Sequence, residues 1–233
     1  MLAYGAEEVL MSKPKTPSRL QVALEGFYAF LDRPLYFWTR PVLVLLVILL
    51  VIGLFLPLWH IQLWAPQYPE GLSVDVYSYA LQSGRGGADL AEINILNHYI
   101  GMHKLDRAQF AELDWLPLAF GAVALLVLRV AVLGNVRALV DLAVLVAYFA
   151  GFSAARFAFQ MYTLGHDLSP DAPVKVAPFM PAIWGEKKIG NFSTWAGPGS
   201  GSFLIAALVV GVAAITLYHL IQGRREARAR GTL

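Results

Sequence analysis

The chain has 233 residues, 58% of them hydrophobic and only 15% charged, with a net charge of +2 and no cysteine. A soluble domain carries about 25% charged residues, so this balance marks an integral membrane protein, and the basic residues flank apolar runs where a nucleic-acid binder would show a basic stripe with aromatics. The missing cysteine excludes disulfides, iron–sulfur clusters, zinc ribbons, thiolate copper centres and covalently attached c-type haem.

In chain order, the segment 1–40 lacks the apolar stretch of a signal peptide, so the first apolar run reads as an uncleaved anchor. Leu20, Leu24, Phe27 and Leu31 recur at helical spacing. A helix of that kind either lies on the membrane surface or packs on a partner protein. Apolar runs then occupy 41–59, 116–133, 139–160 and 203–221. Each is close to the roughly 20 residues that a helix needs to cross about 30 Å of hydrocarbon. Backbone groups in lipid must find partners within their own segment, so the runs are expected to be helices.

The expected fold is an all-α integral membrane protein: a four-transmembrane-helix bundle with both termini cytoplasmic. Its two long extracytoplasmic loops, 60–115 and 161–202, would form a small cap, and 222–233 would be a basic cytoplasmic tail. The orientation follows from Lys and Arg, which hold flanking segments in the cytoplasm. Lys13, Lys15, Arg19, Arg33 and Arg40 precede the first run, and Arg224, Arg225, Arg228 and Arg230 follow the last. The stretch 60–114 has three basic residues against seven acidic ones.

The third run carries Ala143, Ala147, Gly151 and Ala155 at intervals of four. Small residues let helix backbones approach in lipid, so this run is expected at the bundle centre or against a partner subunit. Arg137 and Asp141 are spaced to pair along one helix. Arg156 either snorkels to the outer headgroups or serves a functional purpose.

In the first outer segment, alternation from Ser73 to Ala80 predicts a short strand, broken at Gly84, Gly86 and Gly87. A helix is expected over Ala88–Ile100 with Gly101 near its end, and a second short helix from about Arg107. Leu90, Asn94 and His98 share a face that Met102 would extend; His103 follows, and His60 stands at the outer end of the first run. Imidazole with thioether suits copper, particularly Cu(I), so His98, Met102, His103 and more distantly His60 are the candidate metal ligands. Glu92, Asn94 and Asn97 would orient them. The alternative is that these histidines are hydrogen-bonded structural or surface groups. Glu92 and His98 are six residues apart and face different directions, and no nucleophile joins them, so no catalytic residue is expected. The second outer segment is rich in Pro and Gly and is expected to fold over the first. Its Gly197–Gly201 run lacks the Gly-Lys-Ser/Thr of a phosphate loop and reads as a tight turn into the last run.

The strings APQYPEGL (65–72), EINILNHYIGM (92–102) and GEKKIGNF (185–192) resemble those of small bacterial polytopic membrane proteins. These occur beside the genes of nitrous oxide reductase, a copper enzyme, or of c-type cytochromes. The resemblance covers only the outer segments. It implies an accessory, non-catalytic subunit of a respiratory or electron-transfer assembly in the bacterial inner membrane. Its partners would be the lipid bilayer, other membrane subunits and a periplasmic cytochrome or copper enzyme, with copper as the one candidate cofactor. The alternatives are a purely structural interaction subunit without metal, or a transporter. The runs show neither the broken spans nor the internal repeats usual in transporters.

Overall fold

The computed structural model describes residues 18–189 and 191–229; Lys13, Lys15 and Arg230 lie outside them. Helix α1 (Arg19–Leu31) opens with a capping box, Ser18 and Gln21 each satisfying the other's backbone N–H. Leu20 and Phe27 on it are exposed. Helix α2 (Thr39–Leu54) leads into strands β1 (Trp59–Ala65), β2 (Tyr68–Val76) and β3 (Leu81–Ser83). Helix α3 (Ala88–Tyr99) follows, then α4 (Glu112–Leu133), α5 (Val136–His166), strands β4 (Gly185–Ile189) and β5 (Phe192–Pro198), and α6 (Ser200–Ala229).

The expectation of an all-α protein is corrected by a five-stranded antiparallel sheet in the order β3-β2-β1-β5-β4. The count of four membrane-length helices is corrected as well. Among the described residues only α4, α5 and α6 are long and apolar enough to cross a membrane. The run 41–59 instead gives the 16-residue α2, about 24 Å long. Pro57 has no N–H to continue the ladder and disfavours helical backbone at Leu56, so the chain leaves the helix and enters β1. The residues after Arg107 form turns, and no separate helix precedes α4.

Helix α2 packs between α4 and α6, and α5 packs on α4 and α6. Leu43, Leu46 and Leu50 of α2 meet Val127 of α4, Leu139 of α5 and Leu208 and Val212 of α6 in one buried cluster. At the end bearing α1 and the close of α6, Thr39 Oγ1 and His219 Nε2 lie 2.8 Å apart, both buried, and the His219 ring stacks on Tyr36. Beside them Arg33 donates to the Gly223 carbonyl and Tyr36 to Glu226. Arg137, in the first turn of α5, bonds to Asp32 at the end of α1 and lies over Tyr28, so the expected Arg137–Asp141 pair is not the one formed.

The opposite end carries the sheet, and its placement follows from connectivity. The antiparallel pair α2 and α6 continues directly into the antiparallel pair β1 and β5, with Trp59 opposite Pro198. The Gly199 N–H donates to the Leu58 carbonyl and the Gly201 N–H to the Pro57 carbonyl, both at 2.9 Å. Helix α3 covers one face of the sheet, where Leu63, Ala65, Leu72 and Val74 meet Ile93 and Leu96. The segment after α5 straps this layer: the Ser169, Val174 and Phe179 N–H groups donate to the carbonyls of Gly101, Tyr99 and Gly165.

Helix α5 lies at the edge of the bundle. Ala147, Gly151 and Ala155 are exposed, and a side chain at Gly151 would meet nothing within 4 Å. The small-residue stripe therefore faces outward, which answers the expectation of a central position.

Candidate functional site

Strand alternation sends Ile61, Leu63, Leu72, Val74 and Ala196 toward α3, and so it sends His60, Gln62, Trp64, Asp75 and Trp195 to the open face. There the register sets His60 between Asp75 and Gly197, and Gln62 opposite Trp195. His60 Nδ1 and Asp75 Oδ1 are 2.6 Å apart, each side chain about one-third exposed. A carboxylate only accepts, so Nδ1 is the donor of this bond. The Trp195 ring tilts against His60 at 5.9 Å between centroids.

Two tryptophans lie along this face, each over a glycine. The Trp64 indole crosses Gly71, whose φ of +87° also excludes most side chains, and Trp195 lies over Gly197. A Cβ on either glycine would press into the ring. Glu186 and Lys188 of β4 border the indoles on the same face. The arrangement is an aromatic surface bordered by the charged residues of β4.

The residues expected to bind copper are spread over different surfaces. His60 belongs to the open face, whereas Met102 is half-buried beneath the sheet among the residues packed on its other face. His98 is exposed on α3. His103 is exposed and its Nε2 lies 3.0 Å from Asp167 of the strap. Among the described residues no group of three or more His, Asp or Glu is placed to hold a metal ion. The expected orienting residues are engaged elsewhere or face inward. Glu92 accepts from the Tyr68 hydroxyl, a bond that, with burial, raises the phenol above its usual range. Asn94 brackets Leu105 through both its backbone groups, and Asn97 is buried under the sheet.

Arg156 pairs with Glu112 at 2.6 Å, linking α5 to the first turn of α4. Sequence reasoning missed Asp75, Trp195 and the two glycines. The period-two alternation of HIQLWA was the available signal, but it continues directly from an apolar run. Comparison with protein-family models, with curated proteins and with solved structures finds no match for this chain.

Proposed function

We propose that this protein is a non-catalytic accessory subunit of a larger membrane assembly, which docks a partner protein through the open face of its sheet. The observation that carries the reading is the pair of indoles packed over Gly71 and Gly197 beside the His60–Asp75 pair. Exposed aromatic residues bordered by charged side chains are a composition that protein interfaces favour. The outward small-residue face of α5 offers a second, intramembrane surface for a neighbouring subunit.

The distribution of Lys and Arg supports a multi-pass protein of the bacterial inner membrane with its termini in the cytoplasm and the sheet outside. The resemblance of the outer segments supports a respiratory or electron-transfer assembly, with a periplasmic cytochrome or copper enzyme as the docked partner. The scattered positions of His60, His98, Met102 and His103 favour the interaction role over copper handling.

In native membranes opened with mild detergent, the chain is expected to migrate in a complex well above its own 25.6 kDa. Trp195→Ala is expected to weaken that complex by about 2 kcal/mol, as for a central interface tryptophan. Glu186→Lys, a charge reversal on the same face, is expected to weaken it without touching the sheet core. A wild-type chain that always migrates alone would refute the proposal.

A further inference from the structure

Two cavities meet between the sheet and the bundle. The inner one, about 100 Å³, lies under the sheet among Leu63, Val74, Ile93, Leu96 and Asn97. The outer one, about 170 Å³, lies at the junction with the helices among Trp59, Trp115, Phe152, Ser153 and Arg156. Ile61, Val76, Phe110 and Met161 line both, so the two form one slot running from the junction to beneath the sheet. Close-packed interiors rarely hold voids larger than a water molecule, and apolar cavities of about 150 Å³ stay dry and take apolar guests.

The polar atoms of the slot are the informative part. Among the described residues four buried side-chain atoms lack a hydrogen-bond partner: Trp59 Nε1, Asn97 Nδ2, Arg137 Nε and Ser153 Oγ. Three of the four line this slot. Buried donors without acceptors are rare in native proteins, and each calls for a bound group or water. Trp59 Nε1 and Ser153 Oγ share the outer chamber with Arg156. Trp115 and Phe152, both exposed, border that chamber on α4 and α5, at the level where aromatic belts meet lipid headgroups.

We infer that the slot holds one ester-linked acyl chain of a bilayer lipid. The ester carbonyl accepts from the Trp59 indole and the Ser153 hydroxyl in the outer chamber, and the hydrocarbon runs past Met161 into the inner one. The head is a neutral ester and not a free carboxylate, because Glu112 already balances Arg156 at 2.6 Å. An added anion would meet the Glu112 charge. Asn97 Nδ2, in a residue only 5% exposed, borders the inner chamber at the far end of the chain's path.

The test uses the full chain purified in non-ionic detergent, titrated with lysophosphatidylcholine and, separately, with stearic acid, and read by native mass spectrometry. A one-to-one adduct with the lysolipid is expected, about tenfold tighter than with the fatty acid. Ser153→Ala removes one donor and is expected to weaken the adduct about fivefold. Ser153→Phe blocks the outer chamber, and Ala182→Trp blocks the inner one from the strap; each is expected to abolish the adduct while the thermal midpoint of the lipid-free protein holds. Absence of a wild-type adduct overturns the inference. So does an adduct that survives both blocking variants, or stearic acid binding as tightly as the ester.

Discussion

Replacing Gly201 with valine is expected to separate α6 from α2 and to loosen the sheet with it. A Cβ at this position would stand 2.7 Å from the carbonyl oxygens of Gly53 and Leu56 and 3.0 Å from that of Pro57. All three are backbone atoms, so no side chain can turn aside. The Gly201 N–H also donates to the Pro57 carbonyl, so displacing the helix breaks that bond. The effect travels because β5 enters α6 within two residues and pairs with β1, which follows α2 after a short connection. Moving the start of α6 therefore pulls Pro198 away from Trp59. Overpacking costs about 1–3 kcal/mol and occasionally more, and a contact with unyielding backbone belongs at the upper end. The thermal midpoint in detergent should fall by many degrees, and protease should reach the sheet under conditions that leave the wild type intact. Gly151→Val is the control, since a side chain there meets open space on the outer face of α5. It is expected to leave the midpoint nearly unchanged. Equal losses from the two variants would show that α5, too, is tightly packed against protein.

The same junction explains what the sequence made legible. Runs 116–133, 139–160 and 203–221 fell inside α4, α5 and α6, because apolar length in lipid admits only a helix. Helix α3 was foreseen within one residue at its end, since Gly101, at φ +81°, marks the stop. The sheet was not foreseen. Its central strands, β1 and β5, lie about 130 residues apart and are joined only through tertiary pairing, which no local period reports. Strand β1 hid behind an apolar run that Pro57 had already cut, and β5 hid among glycines that read as a turn. The open face suffered the same way. His60 stood out as a residue type, but its partners Asp75 and Trp195 depend on register, and register is fixed only once the sheet exists.

Acidification is expected to loosen the sheet through Asp89 before it affects the bundle. This carboxylate opens α3 and is 4% exposed. It accepts from the Ser73 N–H at 2.9 Å and from the Ser73 hydroxyl at 3.4 Å, and it pairs with Arg85. Burial pushes its carboxyl up, but the Ser73 N–H and the Arg85 guanidinium outweigh burial and hold it below the usual carboxylate range. A carboxyl depressed in the folded state binds its proton more readily when unfolded. Its stabilisation is therefore complete above the unfolded value, about 3.9, and disappears as pH falls through the lower folded value. Unfolding of the α3–sheet layer should thus gain an acid limb below about pH 4 that is absent at neutrality. Asp89→Asn keeps the shape but loses charge-assisted acceptance from Ser73, at a cost of about 1.5–3 kcal/mol at neutral pH. The variant should also lose that part of the acid limb, so the gap between the two proteins should narrow as pH is lowered from 6 toward about 3. Fluorescence-monitored unfolding across that series measures it. An identical acid limb in both proteins would place the sensitivity elsewhere, because no proton can bind at residue 89 once the carboxyl is an amide.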